Sequence, residues 1–221
     1  MFPLQKNAMK TLFGLTPGET RVFKRLNTPH KIQTYLDGLP YNNEVPRETC
    51  RSPREVLKHK EAHCIEGALF AAACLRFAGH KPLIVDLESK RDHDHVICVF
   101  KVNGYWGAIS KSRFHSLSYR DPIFKSMREL ALSYFPSYHN YRGQKTLRRV
   151  SVPIDLTRFD RDAWMTSEHD LWNIGNYLFT IKHEELVPRG VKLRTVPSAA
   201  QYADTAEPPK GWKNSKPKKG H

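Results

Sequence analysis

Residues 64–78, CIEGALFAAACLRFA, decide how the rest of the chain folds. Only Glu66 and Arg76 carry charge there, so the stretch reads as a helix that is apolar on nearly every side. Such a helix has to be buried. Gly79 supplies its C-terminal stop, and Pro82 follows just beyond. The next residues offer a surface to cover it. LIVDL at 83–87 and HVICVFKV at 95–102 read as strands. Asn103-Gly104 is the strongest short hairpin signal, and YWGAIS at 105–110 is the return strand. Upstream, Thr16-Pro17-Gly18-Glu19, Thr28-Pro29 and Ser52-Pro53-Arg54-Glu55 mark three helix starts. Residues 38–51, GLPYNNEVPRETCR, read as loop. Downstream, Asp121-Pro122 predicts an amphipathic helix through Tyr134, residues 147–155 a strand and residues 166–182 another helix. Helices, then an antiparallel meander, then helices predict an α+β domain built around one buried helix.

A chain of 221 residues has the length of one domain and can bury a core without staples. Hydrophobic residues at 39% and charged residues at 26% place it among globular proteins. No internal repeat is visible. No run approaches the roughly 18 apolar residues of a membrane span. The first residues also lack a signal-peptide core, so the reading is a soluble cytoplasmic protein. Residues 1–15 read as a loosely held arm and 16–196 as the domain. Residues 197–221 read as a disordered basic tail, with five lysines against Asp204 and Glu207. The formal net charge of +14 attracts polyanions. That leaves nucleic acid, an anionic polymer or an acidic protein as alternatives to a merely solubilising surface. No interleaved basic and aromatic motif of an RNA-binding domain is present. Arg142, Lys145, Arg148 and Arg149 could form an anion patch or a solvated turn.

Four cysteines without a CxxC argue against both a disulfide framework and a zinc ribbon. Cys64 opens the buried helix. There, free backbone N–H groups and the positive end of the macrodipole favour the thiolate, which is the nucleophile. Cys74 lies roughly 15 Å along the same axis and cannot bridge to it. Cys74 and Cys98 read as core, and Cys50 as a loop cysteine with no assigned task. A nucleophilic thiol needs a base, and His95 opens a strand after the polar loop SKRDHD at 89–94. A two-residue turn at Asn103-Gly104 sets Val102 opposite Tyr105 and Ile97 opposite Ser110. Ser110 is then a diagonal neighbour of His95 on one face, within about 7–8 Å. The run Asp92-His93-Asp94-His95 also permits a metal reading with Cys64, against the plainer reading of a solvated loop.

Cys64, Ala68, Leu75-Arg76, Gly79, Pro82, His95, the Asn103-Gly104 turn and Trp106 come in an order and spacing that resemble the transglutaminase-like superfamily. That superfamily is a branch of the papain-like cysteine enzymes, and the resemblance covers roughly residues 50–112. It implies a papain/transglutaminase-like core, with the cysteine-bearing helix packed on an antiparallel sheet and extra helices at the C-terminal end. It also implies a thiol-dependent hydrolase or acyltransferase acting on amide or peptide bonds of a peptide or protein substrate, without a cofactor. Cys64 would be the nucleophile and His95 the base. The third member of the family's set is an aspartate fifteen residues after the histidine, a position held here by Ser110. Serine can accept a hydrogen bond but brings no negative charge. Asp92, Asp94 or Asp121 could bring that charge from elsewhere. His63 stands where the family often has a small or apolar residue, and it either polarises the thiol or faces solvent. Two other readings stay open: a catalytically inactive member that binds a peptide-like or anionic ligand, and a basic nucleic-acid-binding protein.

Overall fold

The structure, a computed structural model, describes residues 13–197. The expected arm and tail lie outside these residues except at their inner edges. Each of the first three helices among the described residues starts where the sequence predicts. Thr16 Oγ1 accepts from the Glu19 amide at 3.2 Å, and the Glu19 carboxylate accepts from the Thr16 amide at 2.6 Å. That reciprocal pair opens α1 (Pro17–Arg25). Thr28 caps α2 (Pro29–Asp37) and Ser52 caps α3 (Pro53–His59). Then comes α4 (Cys64–Phe77), buried without a break from Ile65 to Leu75. Gly79, at φ 96°, ends it in a conformation that side chains disfavour.

Seven strands form one sheet: β1 (Leu83–Ser89), β2 (His95–Val102), β3 (Tyr105–Ile109), β4 (Arg120–Phe124), β5 (Leu147–Ser151), β6 (Ile154–Asp155) and β7 (His183–Glu185). The order is β4-β3-β2-β1-β5-β7, with β6 against β1, and every pairing is antiparallel. The hairpin register agrees with the turn chemistry: Val102 pairs with Tyr105 and Cys98 with Ile109. Asn103 and Gly104 both take positive φ, as a type I′ turn requires.

The sheet separates two cores, which explains why β2 is apolar at nearly every residue. Val96, Cys98 and Phe100 face the side of α4. Ile97 and Val99 face the opposite side, where Leu130, Tyr134 and Tyr138 cover them. A strand buried on both faces cannot alternate polar and apolar residues. Helices α1, α2 and α3 pack round α4. On the far face, α5 (Met127–Leu132) packs on β3 and β4.

The C-terminal half departs from the sequence reading in three places. Asp121-Pro122 does not open a helix; it lies in β4, an edge strand whose alternate residues are exposed. A proline on an edge loses no ladder bond. The helix starts later, at Ser126, which accepts from the Glu129 amide at 3.1 Å. The strand expected at 147–155 is split into β5 and β6 around Pro153. The helix expected at 166–182 shrinks to α6 (Trp172–Leu178), followed by β7. Its first residues are used instead as partners of the 47–54 segment. The Ser167 carbonyl accepts from Ser52, the Thr166 carbonyl from Arg54, and Asp170 from Arg47 and the Cys50 amide.

Candidate active site

Cys64 is the first residue of α4, so its amide has no acceptor within the helix. Its side chain is half-buried. Sγ lies 4.0 Å from His63 Nδ1 and 4.0 Å from the Asp94 carbonyl oxygen. His95, the next residue after that carbonyl, stands near enough to lower the Cys64 thiol. By alternation His95 belongs to the face of Ile97 and Val99, away from α4. Its place at the very start of β2 sets it directly after the Asp94 carbonyl that lies 4.0 Å from that sulfur. The rest of the ring packs against Tyr134, with centroids 6.4 Å apart.

Behind His95, Nε2 lies 3.2 Å from Ser110 Oγ and 3.1 Å from the Leu117 carbonyl. Ser110 Oγ donates to that same carbonyl at 2.7 Å. Ser110 is itself clamped: Gln33 Oε1 accepts from its amide at 3.0 Å, and Gln33 Nε2 donates to its carbonyl at 2.9 Å. Cys64, His95 and Ser110 are therefore together in one place. Asp92, Asp94 and Asp121 are not at His95. Asp92 accepts from Thr146, Asp94 accepts from the Ser89 amide, and Asp121 is exposed. Among the described residues no group of three or more His, Cys, Asp or Glu side chains is arranged to hold a metal ion.

His63 does not face solvent. It is 7% exposed, and its Nε2 lies 2.9 Å from the Thr49 carbonyl, 3.4 Å from Glu66 Oε1 and 3.5 Å from Glu44 Oε1. Glu66 is the residue that sequence reasoning missed. Its carboxylate is fully buried and accepts from Thr49 Oγ1 at 2.7 Å, Asn42 Nδ2 at 3.0 Å, and the Arg51 and His63 amides, each at 3.1 Å. One carboxylate thus holds the 42–51 loop onto the start of α4. The signal was present: a lone acid in an otherwise apolar helix has to find partners or be neutralised.

These contacts fix the charges. Burial pushes the Cys64 thiol up, but hydrogen bonds from His63 and His95, with the positive charge of both rings, bring it down to about 5. Burial disfavours a charge on His63, yet bonds to Cys64 and Glu66 raise it to about 11. Burial also works against the Glu66 carboxylate, and His63, Asn42 and Thr49 lower it to about 2 all the same. The other three cysteines behave oppositely. Cys50, Cys74 and Cys98 are buried and their thiols are pushed up, chiefly by that burial. Cys50 is more than a bystander, since its Sγ donates to the Leu171 carbonyl at 3.5 Å. All four cysteines are free.

Two further features frame the site. Tyr41 lies under the Arg113 guanidinium, 4.5 Å from its ring centroid, and its phenol is pushed up to about 12 by burial and by the Cys64 charge. A cavity of about 280 Å³ opens beside the 42–51 loop, lined by Glu44, Arg47, Glu55, His59 and Asp170 among others; Cys64 and His95 do not line it. In the basic run at 142–149, Arg149 pairs with Glu88 at 2.5 Å and Arg148 donates to the Leu147 carbonyl. No helix among the described residues is long and apolar enough to cross a membrane. Comparison of the chain with protein-family models and with curated protein sequences returns no match.

Proposed function

We propose that this protein is a thiol-dependent hydrolase or acyltransferase acting on amide or peptide bonds, with a transglutaminase-like arrangement of the papain-like type. The observation that supports it is one juxtaposition. A cysteine at the start of a buried helix lies 4.0 Å from the carbonyl that precedes a histidine, and that histidine's far nitrogen is held by Ser110 and the Leu117 carbonyl. Ser110 gives its proton to Leu117, so it meets His95 Nε2–H as an acceptor. That assignment leaves the Nδ1 lone pair for the thiol proton.

The chemistry follows from the positions. Cys64 Sγ attacks the carbonyl carbon, an Sγ–C bond forms, and the carbonyl electron pair moves onto oxygen. The free Cys64 amide donates to that oxyanion. The C–N bond then breaks as the His95 imidazolium protonates the departing amine. Water or a second amine attacks the thioester, His95 takes back a proton, and the sulfur leaves as thiolate. The nature of the acceptor divides hydrolase from acyltransferase.

The test is iodoacetamide alkylation of Cys64 against pH, alongside cleavage of peptide amides with and without a primary amine acceptor. An alkylation inflection well below the free-thiol value of about 8.5, together with amine release lost in Cys64→Ala, supports the reading. An inflection near that value, unmoved by His95→Ala, overturns it. The uncharged Ser110 favours a second reading, an inactive fold that binds a peptide-like ligand, and the latter outcome would select it.

A further inference from the structure

The two imidazoles at the sulfur differ in what stands behind them. Among the described residues His95 pairs with no carboxylate; its Nε2 meets a hydroxyl and a carbonyl. His63 turns Nδ1 to the sulfur and Nε2 towards Glu66 at 3.4 Å and Glu44 at 3.5 Å. Glu66 is fully buried, with four neighbouring donors besides the ring, so its charge is anchored and cannot swing away. A charged ring needs a counter-charge when both are out of water. Only the His63 side provides one.

We propose that His63, braced by Glu66, is a fixed cation that ionises Cys64, doing from one side of the sulfur what an acid at position 110 would do through His95 on the other. The inference rests on reading Cys64 as a thiol nucleophile. His63 holds its proton throughout, while His95 passes one to and fro. Glu66 is a positioning residue that acts through His63. The raised His63 and lowered Cys64 values agree with this division. Tyr41, Cys50, Tyr138 and Asp86 also feel the sulfur's charge, and none of them supplies a positive one.

The experiment is the pH profile of Cys64 alkylation by iodoacetamide in the full chain, with folding checked by circular dichroism. His63→Gln should move the inflection upward and lower the thiolate present at pH 6 by about tenfold or more. Glu66→Gln should move it the same way by less. His63→Lys, which keeps a charge without the ring, should recover part of the loss. So should Ser110→Asp placed in the His63→Gln background. Nitrogen-15 shifts of the wild-type His63 ring provide a check that needs no variant: an imidazolium at pH 8 supports the proposal, and a neutral ring overturns it. A wild-type inflection near the free-thiol value would remove the thiol-nucleophile reading itself. A low wild-type inflection left unchanged in His63→Gln would remove only the fixed cation.

Discussion

Two buried histidines flank one sulfur, and the protein surrounds them differently. His95, 6% exposed, ends against Ser110 at 3.2 Å and the Leu117 carbonyl at 3.1 Å. His63, 7% exposed, ends against a carbonyl and two carboxylates. A carboxylate behind a ring favours its charged form. That suits a ring meant to stay charged and hampers one that has to release its proton in every cycle. On the proposed reading, the comparison teaches that the negative charge of a thiol site need not stand behind the base. Here it stands behind a second ring, and the same carboxylate ties down the 42–51 loop. A serine at position 110 is therefore compatible with a low thiol value, because position 66 carries the charge.

The sharpest way to break this comparison is to remove each ring in turn. His95→Ala should lower turnover by about 10²–10⁴-fold, the usual weight of an acid–base group. The alkylation profile should shift less in His95→Ala than in His63→Gln, since the fixed cation survives. An equal or larger shift in His95→Ala would show that the two sides are not specialised. Making the sides alike is the next test. Ser110→Asp puts a carboxylate behind His95, favours the charged ring and should move the basic limb of the kcat profile upward. An unmoved limb would mean that position 110 does not govern the base.

Stability against pH sharpens the same contrast. The Glu66 carboxyl sits near 2 in the fold, below its unfolded value of about 4.3. Its contribution is fully present above that unfolded value and is lost as pH falls towards 2. The His63 contribution has the opposite sense: it is complete below about 6.5 and is lost as pH rises through 11. Glu66→Gln should therefore flatten the acid limb of a thermal-unfolding series, by about 3 kcal/mol at most between pH 6 and pH 2. Equal acid sensitivity in the variant and the wild type would refute the buried charge.

Much of this was legible in the residues, for identifiable reasons. The meander could be read because Asn103-Gly104 fixes a register that carries through to Cys98 and Ile109. Helix α4 could be read because an all-round apolar helix has only one place to go. Ser110 fell beside His95 because period-two alternation is rigid over so short a hairpin. Glu66 was hidden because its meaning depends on Thr49 and Asn42, 17 and 24 residues away along an irregular loop. Periodicity says nothing about such a loop. The helix expected at 166–182 failed for a related reason, since residues 166–170 serve as acceptors for a distant segment rather than following their own propensity.

The smallest effect probes the joint between the two sides and touches neither ring. Gly67 lies one residue past Glu66 on α4, and Lys111 follows Ser110. A Cβ on Gly67 would stand 2.5 Å from the Lys111 Cβ. Lys111 cannot easily yield, because its buried ammonium donates to the Leu36 carbonyl at 2.8 Å and also to the Leu39 carbonyl. Gly67→Ala should therefore cost about 1–3 kcal/mol of overpacking and push residues 110–111 away from the helix. Cys64, His63 and Glu66 all sit at the start of α4 and move together, whereas His95 depends on Ser110. Turnover should fall while the alkylation inflection stays close to the wild-type value. If instead the inflection rises and turnover at saturating pH is spared, the strain has gone into the helix start. The segment bearing Ser110 would then be the rigid side of the joint.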